Sequence, residues 1–126
     1  MSLSIAFPAT DDALEARTGI AGFVRDALVR LVHGFASVDR AVIYGSRARG
    51  DFARYSDIDV ALYGDRVSAS DVARIKDAID DSFIVFPVDV TAVVSLAPDS
   101  SMRRTIDRDG IVIYDRANPP SSVTAR

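Results

Sequence analysis

Two stretches decide the reading of this chain: Gly45-Ser46-Arg47-Ala48-Arg49-Gly50 and, downstream, Ser56-Asp57-Ile58-Asp59-Val60-Ala61-Leu62. Apolar Ala41 to Tyr44 reads as a short strand that runs into the glycine-serine turn. Ten residues separate Ser46 from Asp57. Ile58 to Tyr63 reads as a second strand, with Asp57 at its lip. Residues i and i+2 of a strand face the same way, so Asp57 and Asp59 project side by side, about 6–7 Å apart at Cα, while Ile58 and Val60 turn to the core. Two carboxylates this close repel, and neither has a lysine beside it in sequence. A divalent cation relieves that repulsion. Oxygen-only donors favour Mg²⁺ or Mn²⁺, bound at roughly 2.1 Å and partly through substrate phosphates.

A third carboxylate is expected from another strand, and Asp89 in Pro87-Val88-Asp89-Val90-Thr91 is the candidate. Val88 and Val90 make one face of that strand apolar and leave Asp89 on the other. If this strand lies beside Ile58–Tyr63, a sheet spacing of about 4.8 Å brings Asp89 to the same metal cluster. Three carboxylates can hold two ions about 3.5–4 Å apart, a clamp for in-line phosphoryl chemistry. Gly45 lets the backbone approach a phosphate closely, and a helix starting at Ser46 aims free N–H groups and a hydroxyl at it. Arg47 and Arg49 add charge at the same lip, although pairing with nearby aspartates is an equal expectation for both.

Outward from this centre, Ala9 to Phe35 reads as one long helix, with Leu14, Ile20, Phe23, Val24, Leu28, Leu31 and Val32 at three- and four-residue spacing. Thr10, Asp11 and Asp12 suit its start, and Gly34 its stop. Gly19 and Gly22 weaken its middle, each by up to about 1 kcal/mol relative to Ala. Ser68 or Ser70 caps a helix that runs to about Ser82 with Val72, Ile75 and Ile79 as its stripe. Ile84 to Val94 reads as a third strand, with Pro87 pointing to an edge position or a bulge. Asp99 to Asp109 reads as the last helix, ended by Gly110 as a left-handed cap. Ile111 to Tyr114 is a fourth strand. His33, Tyr44, Tyr63 and Tyr114 read as structural, and Phe83 and Phe86 as core. The order predicts an α/β fold: one mixed sheet of about four strands with helices packed mainly on one face. Residues 1–116, with an N-terminal helix over 10–35, form the domain, and 117–126, with Pro119-Pro120, a flexible tail.

Size and composition agree with one domain. The chain has 126 residues, 48% of them hydrophobic, so a core needs no disulfide or structural zinc. It has no cysteine, which excludes thiol chemistry and cysteine-based metal sites. Apolar runs fall far short of the roughly 20 residues of a membrane span, and Met1–Thr10 lacks the pattern of a secretory signal, so a cytoplasmic protein is expected. A net charge of −3 argues against direct nucleic-acid binding. Fourteen of the fifteen cations are arginine, which suits bidentate phosphate contacts and equally a biased base composition. Gly45 and Gly50 have P-loop spacing, but Asp51 and Phe52 stand where Lys and Ser/Thr are required, so that motif is rejected. Arg49-Gly50-Asp51 matches a cell-adhesion tripeptide by chance.

The paired motif, Gly45-Ser46 followed by Asp57-Ile58-Asp59 and a later strand Asp89, resembles the nucleotidyltransferase superfamily of polymerase β. The fuller string is similar to its minimal branch, the MNT-type antitoxins, as is Asp109-Gly110-Ile111-Val112-Ile113-Tyr114. The resemblance covers roughly Val38 to Tyr114. It implies that Gly45 and Ser46, with Arg47 and Arg49 beside them, bind the phosphates of a nucleoside triphosphate, ATP by expectation. It implies that Asp57, Asp59 and Asp89 coordinate two Mg²⁺ (or Mn²⁺) ions, and that Asp89 assists deprotonation of an acceptor hydroxyl. That hydroxyl attacks the α-phosphate and releases pyrophosphate. Members of the branch are typically antitoxins paired with a HEPN-domain ribonuclease toxin, and some transfer AMP to a toxin tyrosine. Two alternatives stand beside this: an inactive antitoxin that neutralises by binding, and a nucleotidyltransferase for an aminoglycoside-like small molecule, with a pocket shared across a homo-oligomer. The short chain leaves no room for an acceptor-binding domain, which argues for an acceptor brought by a partner.

Overall fold

β1 (Arg40–Tyr44) is the spine of a four-stranded sheet. It pairs antiparallel with β2 (Ile58–Tyr63) on one side and with β4 (Ile111–Asp115) on the other. β3 (Val88–Ala92) lies outside β2 and parallel to it, giving the order β3-β2-β1-β4 and a mixed sheet. The computed structural model describes residues 11–53 and 56–117. The parallel pair requires a crossover, and α4 (Ala69–Asp80) supplies it. Ser68 caps that helix in a reciprocal box with Asp71: its side chain accepts from the Asp71 N–H at 3.0 Å, and the Asp71 carboxylate accepts from the Ser68 N–H at 3.2 Å. The edge position expected from Pro87 is the one β3 occupies. Pro87 donates nothing to the ladder, but its carbonyl accepts from the Ile58 N–H at 2.9 Å.

Strand alternation splits the apolar residues between two faces. Ala41 and Ile43, with Ile58, Val60 and Leu62, join Val90, Ile111 and Ile113 in the larger core under α1 (Asp11–Thr18), α2 (Gly22–His33) and α4. Val42, Tyr44, Ala61 and Val112 face the other way and are covered by Ile106 of α5 (Ser101–Asp109) and by Val93. Helices therefore pack mainly on one face, as expected, with α5 alone across the second. Asp59 lies on that second face.

The structure corrects four sequence expectations. The helix expected over 10–35 is two helices. Gly19 takes the left-handed conformation at φ +69°, α1 ends, and α2 restarts at Gly22. The break frees the Thr18 carbonyl, and the Thr18 hydroxyl accepts from the Ile20 N–H at 3.1 Å. The third strand is shorter than Ile84–Val94, because Pro87 precedes the ladder and Val93–Ser95 coil into a 3₁₀ turn. Gly110 is not left-handed: at φ −59° and ψ 137° it leads straight into β4. Phe83, expected in the core, is 61% exposed, and Phe23, expected on the apolar stripe of the first helix, is 63% exposed. The tail expected over 117–126 falls almost wholly on 118–126, outside the described residues. No helix among the described residues is long and apolar enough to cross a membrane.

Candidate active site

β1 is fully buried from Ala41 to Tyr44 and then stops at a glycine for a reason visible in space. Gly45 has φ +79° and ψ −155°, a conformation closed to other residues. A Cβ there would collide with the carboxylate of Asp59. The bare backbone of Gly45 is thus the surface against which Asp59 rests. The next residues wind into a single helical turn, α3 (Ser46–Arg49), closed by left-handed Gly50 at φ +88°. The Ser46 carbonyl accepts from the N–H groups of Gly50 at 2.9 Å and Asp51 at 3.1 Å, and the Gly45 carbonyl accepts from the Arg49 N–H at 3.0 Å.

The sheet register brings the carboxylates together. Tyr44 stands opposite Asp59 across the antiparallel pair, and Asp59 stands opposite Asp89 across the parallel pair. Asp59 is half-buried; Asp89, on the edge strand, and Asp57, one residue before β2, are exposed. Burial first, then the charges of Asp89 and Asp57, push the Asp59 carboxyl above its ordinary value, with Arg49 pulling it back in part. Among the described residues no three His, Asp or Glu side chains converge closely enough to cage an ion. The expected three-membered cluster is a registered pair, Asp59 and Asp89, with Asp57 acting on it through charge. Asp57 precedes the ladder, so no strand partner fixes its backbone. The donor set nevertheless suits a hard divalent cation: carboxylate oxygens only, with half-buried Asp59 opposite Asp89 in the sheet and its pKa raised by burial and by the charges of Asp89 and Asp57.

Two neighbours of this pair escaped the sequence reading. The Tyr44 hydroxyl lies 3.4 Å from Thr91 Oγ1, on the face that carries Asp59 and Asp89. Burial raises the Tyr44 pKa, a direction the charges of Asp59 and Asp89 reinforce and the bond to Thr91 opposes. The signal for Thr91 was present, since it follows Asp89 by two residues and so shares its face.

The two arginines of the loop have different fates. Arg49 stays at the lip, bonded through Nε to Asp51 and through Nη1 to Asp109, both at 3.2 Å, and close enough to Asp59 to lower its pKa. Arg47 is 1% exposed and turned inward, which corrects the expectation that it adds charge at the lip. Its guanidinium lies between the rings of Phe52 and Phe86, 4.8 and 5.1 Å from their centroids. It donates to the Thr18 carbonyl at 2.9 Å and to the Ser56 carbonyl at 3.1 Å. Burial pulls its pKa down. Arg47 thereby ties the β1–β2 loop at both ends to the α1–α2 break. Arg47→Met is expected to destabilise the fold by roughly 3 kcal/mol, since the buried Thr18 carbonyl and the partly buried Ser56 carbonyl lose a charged donor, and Arg47→Lys to recover little of it. Urea unfolding of the three proteins checks this.

The family profile described as "Polymerase beta, Nucleotidyltransferase" matches residues 27–119. No curated protein matches the chain. Among solved structures, a toxin–antitoxin complex with AMP-PNP superposes with a TM-score of 0.61 at 16% identity, covering 72% of this chain and 73% of that one. A protein from Sulfolobus solfataricus, described as a nucleotidyltransferase, superposes with a TM-score of 0.51 at 20% identity, covering 87% of this chain and 93% of that one. At such identities the likeness is one of fold. The family match is of another kind: it runs from within α2 past the end of β4, and so spans the whole sheet, the Gly45 turn and all three aspartates. This chain belongs to the polymerase β nucleotidyltransferase family.

Proposed function

We propose that this chain is a metal-dependent nucleotidyltransferase that moves a nucleoside monophosphate, AMP from ATP, onto a hydroxyl of a partner protein, and that it thereby serves as the antitoxin of a toxin–antitoxin pair whose toxin is a HEPN-type ribonuclease. One observation carries the reading most directly: Asp59 faces Asp89 in register and rests on the backbone of Gly45. Acid pair and phosphate turn are one structure. The solved toxin–antitoxin relative with AMP-PNP supports the nucleotide and the biological setting.

In this reading the Gly45–Ser46 turn receives the β- and γ-phosphates, and the missing side chain at 45 keeps the backbone open to them. Asp57, Asp59 and Asp89 hold two Mg²⁺ or Mn²⁺ ions, which when bound neutralise charge on the phosphates and on the leaving group. Asp89, exposed at the sheet edge, assists in taking the proton of the incoming hydroxyl. The acceptor oxygen bonds the α-phosphorus, the α–β bridging bond breaks, and pyrophosphate leaves. Arg49 at the lip steadies the phosphates, and its pairing with Asp51 and Asp109 holds it there. Arg47 acts from beneath by fixing the loop.

The test is transfer of labelled AMP from ATP to the product of the adjoining reading frame, with and without Mg²⁺. Asp57→Asn is expected to reduce transfer roughly 100-fold with little change in stability, because Asp57 is exposed. Transfer that survives both Asp57→Asn and Asp59→Asn refutes the site. Neutralisation that survives loss of all three carboxylates, with no nucleotide binding, would assign the protein to inhibition by occlusion. Transfer to an aminoglycoside by the isolated chain would assign it to small-molecule chemistry.

A further inference from the structure

Phe23 and Phe83 stack on each other with centroids 5.8 Å apart and planes 27° from parallel, yet each leaves most of its surface in water. Val85, two residues on, is 88% exposed. Three of the five exposed large hydrophobics among the described residues thus belong to one region, where α2 begins and α4 has just ended. An aromatic pair that covers one side of each ring and bares the other is packing left unfinished within this chain.

The patch lies toward the sheet end that carries the carboxylates, on the side of α2 and α4, across the sheet from the face of Asp59. From Phe83 the chain buries Ile84, exposes Val85, stacks Phe86 on Arg47 and bonds the Pro87 carbonyl to Ile58 before entering β3. Asp89 follows Phe83 by six residues. A body seated on Phe23 and Phe83 is therefore next to the sheet end that carries the carboxylates.

The surrounding charge selects the occupant. The end of α4 carries Asp77, Asp80 and the C-cap Asp81, all exposed, with no basic residue in the last turn. A helix C-terminus favours cations, so these acids stand against the helix dipole. Among the described residues none of the three makes an ion pair. An apolar centre beside an unneutralised acidic rim complements a protein surface of apolar side chains set among Lys and Arg. A two-fold contact between copies would set this patch and its aspartates against themselves. Nucleic acid would bring more negative charge.

We propose that Phe23, Phe83 and Val85, rimmed by Asp77, Asp80 and Asp81, form the docking surface for a basic partner protein and deliver its acceptor hydroxyl to the carboxylates. That the docked protein is the acceptor rests on the reading above; the docking does not. The full chain is titrated calorimetrically with the product of the adjoining reading frame at low and physiological salt, and separately with ATP and Mg²⁺. Phe83→Asp is expected to raise the partner Kd by roughly 30-fold or more. The Asp80→Lys/Asp81→Lys pair is expected to weaken binding and to flatten its salt dependence. Both variants should keep the melting temperature and ATP affinity of the parent. The surface assignment is overturned if the parent does not bind this partner, if both variants bind it as the parent does, or if sedimentation shows a dimer of the parent that Phe83→Asp dissociates. Partner binding through the patch without any ATP binding would leave this surface standing and remove the transferase reading alone.

Discussion

Asp59→Asn is expected to cut nucleotide transfer by about 100-fold or more and at the same time to raise the melting temperature by a few degrees. The two effects share a cause. Asp59 is half-buried opposite Asp89, and burial together with its acidic neighbours raises its pKa above the ordinary 3.8. A carboxyl whose folded pKa is raised contributes most to stability while protonated in both states, and that contribution is lost as pH rises through the folded pKa. At neutral pH the ionised group therefore works against the fold. Asparagine keeps the shape of the protonated acid and removes the charge. The stability gap between variant and parent should thus open as pH rises above the carboxylate range and close as pH falls toward 4, a comparison that thermal melts across pH make directly. Adding Mg²⁺ should stabilise the parent more than the variant, since the ion requires the ionised form. A variant no more stable than its parent at pH 7 would mean that Asp59 is not held under electrostatic strain.

Gly45→Ala is the second large effect, expected to cost roughly 3 kcal/mol and to abolish activity. Part is backbone strain, about 1–3 kcal/mol at a conformation that only glycine occupies. The rest is the collision of the new methyl with the Asp59 carboxylate. Asp59→Gly removes the second part and leaves the first, so a double-mutant cycle should show coupling above about 0.5 kcal/mol. Gly50→Ala serves as the contrast. Gly50 is also left-handed, but its Cβ would sit 3.5 Å from the Arg17 carbonyl, an ordinary contact. It should cost about 1–2 kcal/mol of strain and spare the carboxylates. Chemical denaturation of the parent and the four variants measures all three quantities.

These expectations also mark how far the sequence could be read. The carboxylate face was legible because strand alternation is strict: Asp59, Asp89 and the buried valines between them could be assigned to faces before any coordinates. The mixed sheet and the edge position of β3 followed from element order and from Pro87. What failed was long-range or depended on a single backbone angle. Arg47 looked like its neighbour Arg49, and nothing local says that Thr18, Phe52 and Phe86 will enclose it. Gly19 was counted as a weak point in a helix; its left-handed conformation is justified by the carbonyl it releases to Arg47, 29 residues away along the chain and adjacent in space. Phe23 and Phe83 followed helical and apolar patterning into a core that the fold does not extend to them. Periodicity tells which residues are suited to burial, and only packing tells whether something arrives to cover them.

The tie beneath the Gly45–Ser46 turn has a consequence for the limits of the domain. The family match begins at residue 27, within α2. The groups that hold the turn from below lie ahead of that limit: the Thr18 carbonyl accepts from Arg47, and Arg17 Nε donates to the Ala48 carbonyl at 2.6 Å. A fragment trimmed to the shared family region would keep the sheet and Asp57, Asp59 and Asp89, yet it would leave a buried arginine with one of its acceptors missing. The matched family region and the unit that holds the Gly45 turn therefore have different borders. Here α1 is less an appendage than a keystone, fitted underneath the turn that carries Gly45 and Ser46.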